Sequence, residues 1–123
     1  MLFVADFHEV GKTGEALAAN YLRFHGFTIL FLNWRHGRYE LDMVALDRQY
    51  LVFVEVKTRS FGGIVYPEDA VTRSKQQKLY VAAKHYLEVN EFNGPIRFDV
   101  VSVHFLPHGK RLFYHPDAFF PLG

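Results

Sequence analysis

The sequence predicts a single α/β domain, spanning residues 1–123, in which helices flank a mixed central sheet. Its 123 residues fit one domain, and a domain of this size buries roughly two-thirds of its unfolded surface. Half of the residues are hydrophobic, which excludes a disordered chain. Segments with helical spacing and segments rich in strand-forming residues follow each other in the order helix, three strands, helix, strand.

The first half of the chain predicts one helix and three strands. Leu17, Tyr21 and Phe24 recur at helical spacing between residues 14 and 25, and Gly26 stands where a helix ends. The segments that follow are rich in β-branched and aromatic residues or alternate between apolar and polar ones. They predict strands over residues 27–34, 39–46 and 50–58. Short connections between these strands favour an antiparallel meander.

The second half of the chain predicts a crossover to a fourth strand. Glycine and proline mark a loop over residues 60–67, and the helix predicted over residues 74–89 has one apolar side with lysines interspersed. A strand is predicted over residues 97–105, so the helix crosses over to place it beside the meander. The proline-containing tail is predicted to add an edge strand near residues 112–114.

The composition excludes several classes of protein. The absence of cysteine excludes a disulfide framework and every cysteine-containing zinc site, and it fits a reducing cytosol. The apolar start over residues 1–5 is interrupted by Asp6, so we expect neither a secretory signal nor a membrane span. The formal net charge is only +1, so any basic surface must be local.

Two acidic residues are predicted to face each other on the second and third strands. Period two places Glu55 and Lys57 on one face of the third strand, and Glu40 and Asp42 share a face of the second. A tight hairpin at residues 48–49, or a four-residue loop, pairs Asp42 with Glu55 and Glu40 with Lys57. A loop of three or five residues would not give this register.

This arrangement favours a metal-dependent hydrolase. Carboxylates directly opposite each other have Cβ atoms roughly 5 Å apart and repel each other. A bound cation removes the repulsion, and Mg²⁺ suits a few carboxylates and several waters. Lys57, on the same face as Glu55, can hold a phosphate oxygen or a hydroxide. Together these are the parts for phosphodiester hydrolysis, although alternating Glu, Val and Lys is also common on a solvated strand edge.

Five motifs follow each other along the chain. They are Gly14-Glu15-Ala16-Leu17-Ala18, Asn33-Trp34-Arg35, Glu40-Leu41-Asp42, Phe53-Val54-Glu55-Val56-Lys57-Thr58-Arg59 and Arg97-Phe98-Asp99-Val100-Val101. In this order they resemble the YraN family of uncharacterised bacterial proteins, over about residues 11–105. That family is similar to Holliday-junction resolvases and belongs by fold to the PD-(D/E)XK nucleases. The resemblance implies an αβββαβ core, which agrees with the predicted order of elements.

The resemblance also implies the roles of individual residues. Asp42, Glu55 and Lys57 would be the catalytic triplet, and Glu15 the helix carboxylate that completes the metal shell. Glu15 is equally well explained as a first-turn glutamate favoured by the helix dipole. Val56 is a further expected metal ligand, and the implied cofactor is Mg²⁺ or Mn²⁺. The sequence departs from the family pattern in having Tyr39 where a glycine is often seen and Leu41 where the motif has proline.

Nucleic acid, specifically branched or structured DNA, is the partner that the resemblance implies. Basic residues around the predicted site are the expected phosphate contacts. They are Arg35, Arg38, Arg59, Arg73 and Lys75. The alternative is a nucleic-acid-binding or adaptor domain that keeps the nuclease fold without turnover. In either case we expect a cytoplasmic bacterial protein that does not bind membranes.

A homodimer is a further expectation, because a four-way junction has a two-fold symmetry that two copies can match. Aromatic residues of the tail are candidates for the contact between the copies, or else they cap the core of their own subunit. These residues are Phe113, Phe119 and Phe120.

Overall fold

One six-stranded sheet and two helices make up the parts of the chain that the computed structural model describes, residues 2–7, 13–59 and 71–120. The strand order is β1-β6-β5-β4-β3-β2. The elements are β1 (Leu2–Phe7), α1 (Gly14–Phe24), β2 (Thr28–His36), β3 (Tyr39–Asp47), β4 (Tyr50–Arg59), α2 (Arg73–Val89), β5 (Ile96–Leu106) and β6 (Gly109–Phe119). Neither helix is long and apolar enough to cross a membrane.

The predicted αβββαβ core is confirmed. Strands β2, β3 and β4 form the antiparallel meander, and α2 then leads to β5, which pairs parallel to β4. This topology is consistent with a restriction-endonuclease-like core, in which a helix connects two parallel strands of a mixed sheet. The loop predicted over residues 60–67 lies outside the described residues.

The prediction for the tail is wrong in both length and position. Strand β6 runs from Gly109 to Phe119 and lies inside the sheet, between β5 and β1, rather than at its edge. Pro116 is tolerated because the register between β5 and β6 shifts beside it, between Phe98 and Val100, so its missing N–H interrupts no regular ladder. Strand β1 is not among the strands predicted from the sequence.

The aromatic tail residues mostly serve their own subunit. The ring of Phe119 stacks on Phe98 at 5.3 Å between centroids, and the ring of Phe113 lies 4.6 Å from that of His104. Phe120 is exposed. Phe119 therefore caps the core of its own subunit.

The two helices cover opposite faces of the sheet. Each begins at a threonine whose hydroxyl accepts a hydrogen bond from the main-chain N–H three residues on: Thr13 from Ala16 and Thr72 from Lys75, both at 3.1 Å. The core under α1 contains Leu17, Ala18, Leu22, Val52, Val54 and Val56. The core under α2 contains Leu51, Phe53, Leu79, Ala82 and Tyr86. Since side chains alternate along β4, the residues after Phe53 on its face, at positions 55 and 57, lie on the α2 side.

Candidate active site

The candidate site opens where the pairing of β3 with β4 ends. The hairpin has the predicted register from Asp47 opposite Tyr50 to Met43 opposite Val54, and the ladder stops there. On β3, Asp42 comes just before Met43, and its Oδ2 atom accepts a hydrogen bond of 2.9 Å from the main-chain N–H of Val56. The carboxylate of Asp42 thus takes the place of a main-chain partner, and it lies beside Glu55 rather than in a regular cross-strand pair.

Glu55 is a buried carboxylate between two lysines. Its side chain is only 6% exposed, and its Oε1 atom lies 3.9 Å from the Nζ atoms of both Lys57 and Lys75. Its Oε2 atom is buried and has no hydrogen-bond partner among the described residues. A buried acceptor without a partner costs free energy, so the described residues do not fully satisfy the charged form of this group.

The surroundings of Glu55 favour its protonated form. Burial, and after it the nearby carboxylate of Asp42, raise the pKa of Glu55 from its ordinary value of 4.5 to about 7, against the opposing effect of Lys75 and Lys57. Near neutral pH Glu55 therefore exists in both its protonated and its charged form.

This pKa predicts that the metal-free protein loses stability as the pH rises from about 4.5 to about 7. In that window the folded state holds a proton on Glu55 that the unfolded state has released, so the free energy of unfolding falls, by about 3 kcal/mol in total. Above pH 7 the loss is complete. Urea unfolding in EDTA between pH 4 and 8 measures the effect, and Glu55→Gln should lack this part of the slope. Parallel curves for the two proteins would contradict the prediction, because every other titrating group is common to both.

The same sheet contains a second buried carboxylate, that of Asp99, whose hydrogen bonds are all made within the protein. Asp99 on β5 is fully buried, but its two oxygens accept four hydrogen bonds. The donors are Arg97 Nε and Nη2 at 2.9 Å each, the hydroxyl of Tyr114 at 2.6 Å and the main-chain N–H of Asp117 at 2.8 Å. Asp99 therefore holds neighbouring strands together, whereas one oxygen of Glu55 has no hydrogen-bond partner among the described residues.

Two of the predicted acidic neighbours lie apart from this group. Glu40 does not face Lys57; it is exposed and pairs with Arg35 across the β2–β3 hairpin, at 3.7 Å, because β3 has already parted from β4. Glu15 lies in the first turn of α1, and this helix covers the opposite face of the sheet. Among the described residues no three His, Cys, Asp or Glu side chains are grouped so that they could hold one metal ion, so Glu15 is not brought together with Asp42 and Glu55.

The predicted cations are divided among several places. Arg38 and Lys75 line one cleft of about 410 Å³. Arg73 lines a different hollow, with Phe120, and Arg59 lies at the end of β4, opposite His104 of β5. The cleft that contains Arg38 and Lys75 adjoins Glu55, because Lys75 lines the cleft and its Nζ atom also lies 3.9 Å from Glu55 Oε1. It is lined by Arg38, Tyr39, Glu40, Lys75, Lys78 and Leu79.

Lys75 is the residue whose place the sequence analysis missed. It was predicted as a phosphate contact on the helix, whereas the structure places its ammonium 3.9 Å from the carboxylate of Glu55. It lies in the first turn of α2, just after the N-cap Thr72. The sequence contains no direct signal for this contact, because it depends on how α2 is rotated and shifted against the sheet.

The comparisons with known proteins agree with the motifs. The model of "Uncharacterised protein family UPF0102" matches residues 14–103. The UPF0102 protein BF0634 of Bacteroides fragilis is 38% identical over 118 residues, covering 96% of this chain and 98% of that protein. A UPF0102 protein of Porphyromonas gingivalis is 42% identical over 118 residues, covering 94% and 87%. Among solved structures, that of Pyrococcus furiosus SfsA in complex with Ca²⁺ matches with a TM-score of 0.34 and 15% identity, covering 90% of this chain and 68% of that one, too distant a likeness to carry a conclusion. The chain therefore belongs to the uncharacterised protein family UPF0102, the YraN family that its motifs resemble.

Proposed function

We propose that this protein is a metal-dependent endonuclease that hydrolyses phosphodiester bonds in branched or structured DNA. The observation that carries the proposal is the unpartnered Oε2 atom of the buried Glu55, beside the carboxylate of Asp42 and two lysines. A structural role would have been served by hydrogen bonds such as those of Asp99. A divalent cation supplies the partner that the chain does not provide.

The donor set fits Mg²⁺ or Mn²⁺. Asp42 and Glu55 offer hard carboxylate oxygens from adjacent strands, and the main-chain carbonyl of Val56, between Glu55 and Lys57, is a third oxygen donor at the same position along β4. Mg²⁺ is held by few protein carboxylates and keeps several waters, so the position expected for Glu15 can be filled by water. When bound, the cation neutralises the two acids and polarises a phosphate oxygen.

The chain's own residues complete the chemistry. Lys57 and Lys75 place two ammonium groups beside the buried carboxylate, where the phosphate gains negative charge in the transition state. Asp42 is held in place by the N–H of Val56, so one of its oxygens has a fixed direction before any ligand arrives. Such fixed groups lower the barrier because they need not reorganise during the reaction.

The test is a cleavage assay with a panel of labelled four-way junctions, flaps, duplexes and single strands. We expect cleavage of a branched or structured substrate with Mg²⁺ or Mn²⁺, and none with EDTA or with Asp42→Asn. If the wild type binds these substrates and cuts none of them with either metal, the proposal is wrong and a non-catalytic nucleic-acid-binding domain becomes the better explanation.

A divalent cation is expected to raise the melting temperature of the wild type more than that of Asp42→Asn. A ligand at a hundredfold excess over its dissociation constant stabilises the folded state by about 2.7 kcal/mol, or roughly 10 °C for a domain of this size. Asparagine retains an oxygen that can accept from Val56 N–H, so folding is preserved while one charged ligand is lost.

The measurement is a thermal titration with Mg²⁺ and Mn²⁺, repeated with DNA present. Glu91→Gln is the matched control, because it removes one exposed carboxylate just beyond α2. It should shift with metal as the wild type does. Equal shifts in the wild type and in Asp42→Asn across the titration would place the metal elsewhere.

A further inference from the structure

A continuous column of stacked side chains stands at the β2–β3 hairpin, beside the candidate active site. It consists of the rings of Trp34, His36, His85 and Tyr39, in that order. Successive centroids are 5.9, 5.1 and 4.9 Å apart, and successive ring planes lie within 14°, 29° and 23° of parallel. The guanidinium carbon of Arg38 lies over the ring of Tyr39, 5.4 Å from its centroid.

Core packing explains only one end of this column. Trp34 meets the buried ring of Tyr86 edge to face at 5.4 Å and so anchors the column in the core beneath α2. At the other end, His36 and Arg38 are exposed, and Tyr39 and His85 are only partly buried. Flat groups that are stacked face to face and open to solvent are suited to a flat ligand rather than to the interior of the domain.

The cleft at the open end of the column is positively charged. Of the described residues that line it, three are cations, Arg38, Lys75 and Lys78, and one is an acid, Glu40, which is paired with Arg35. Its floor is the buried Leu79, and its volume of about 410 Å³ is that of a small-ligand site. A flat stacking layer beside several cations matches the chemistry of a nucleotide, whose base stacks and whose phosphates are anionic.

We propose that this column and cleft bind an unpaired nucleobase and its phosphate, so that the DNA cut at the adjacent site carries a single-stranded segment. This inference rests on the proposed function and narrows its substrate. Cations alone are sufficient to bind a duplex, whose bases already have both faces covered by their neighbours. An aromatic or guanidinium face is used by a base that has left the stack. Lys75 lines the cleft and lies 3.9 Å from Glu55. A base bound in the cleft would therefore lie next to the phosphate to be cut.

The test is a binding titration in EDTA, so that no cleavage takes place, with a duplex that carries a short single-stranded tail and with the same duplex blunt-ended. We expect the tailed DNA to bind about tenfold more tightly or better. Tyr39→Leu should weaken binding of the tailed DNA roughly tenfold to hundredfold and leave the blunt DNA nearly unchanged. Tyr39→Phe keeps the ring and loses only the hydroxyl that accepts from Arg38 at 3.4 Å, so it should bind as the wild type does.

Phe24→Leu is the matched control, because it removes an exposed ring, 87% accessible, from the end of the other helix. It should not change binding of either DNA. An independent measurement uses the wild type alone: 2-aminopurine, a fluorescent adenine analogue, is placed at successive positions of the tail. Its fluorescence should change on binding at the position that enters the cleft, and Arg38→Leu should reduce the change.

The outcomes separate this inference from the proposed function. Equal affinity for tailed and blunt DNA, or no fluorescence change at any tail position, overturns the inference even if the wild type cleaves DNA. A clear preference for tails in a protein that cleaves nothing with any metal supports the inference for binding and overturns the nuclease proposal alone.

Discussion

Lys57→Met is expected to lower the single-turnover rate of DNA cleavage roughly 10²–10³-fold while leaving folding and metal binding intact. Lys57 is not one of the proposed oxygen ligands; its ammonium lies 3.9 Å from Glu55 Oε1, where charge develops on the phosphate. Methionine keeps a similar apolar stem, so packing changes little. Lys75 stays 3.9 Å from the same oxygen, so Glu55 does not lose its only cationic neighbour.

The measurement pairs a single-turnover rate with a gel-shift titration on the same DNA. Affinity should fall much less than the rate, because several other cations also contact phosphates. Lys84→Met is the matched control, since it removes an exposed lysine from α2 outside the cleft and should cut at the wild-type rate. A wild-type rate for Lys57→Met would show that Lys57 has no catalytic part.

Glu55 and Asp99 look alike in the sequence but differ in their hydrogen bonds. Glu55 and Asp99 both interrupt apolar strands, and both are buried in the structure. Sequence alternation predicted where Glu55 points, and the tight turn at Arg48, with φ of +57°, fixed the register that brings Asp42 beside it. Whether such an acid is satisfied by the protein depends on residues far away in the chain, such as Tyr114 for Asp99, and no local pattern reveals that.

Long-range geometry accounts for the parts of the site that the sequence left open. Lys75 reaches Glu55 only because of the way α2 lies on the sheet, and Glu15 is not grouped with Asp42 and Glu55 as a set of metal ligands among the described residues. The pairing of Glu40 with Lys57 was extrapolated from a register that holds to Met43 and then ends, because Asp42 uses its side chain in place of the ladder. Departures from regular pairing of this kind are characteristic of functional sites.

Strand β6, whose length and place in the sheet were predicted wrongly, depends on distant residues in the same way. Strand β6 contains Pro116, which argues against an interior strand, and only the register shift beside Asp99 makes the proline acceptable there. The main-chain N–H of Asp117, within that shift, donates to Asp99 at 2.8 Å. The irregular segment of β6 is therefore tied to β5 by the same carboxylate that organises the rest of the network.

Asp99→Leu is accordingly expected to destabilise the fold by about 3–5 kcal/mol, a large part of the stability of a domain of this size. The substitution removes the acceptor of four hydrogen bonds, so the guanidinium of Arg97, the partly buried hydroxyl of Tyr114 and the main-chain N–H of Asp117 all lose it. Arg97 keeps its ion pair with Asp47 at 3.0 Å, so one charge is not stranded. Asp99→Asn keeps one acceptor oxygen, so its loss of stability should be smaller than that of the leucine variant. It should still be less stable than the wild type, because the new NH2 group faces other donors.

Urea unfolding of these variants beside Ser102→Ala makes the comparison specific to the network. Ser102 is also fully buried on β5, but its hydroxyl has no hydrogen-bond partner among the described residues. Removing it discards a polar group that gains nothing from the fold, so its stability should stay within about 1 kcal/mol of the wild type or rise. If Asp99→Leu costs no more than Ser102→Ala, the four hydrogen bonds do not stabilise the sheet, and the contrast drawn between Asp99 and Glu55 loses its basis.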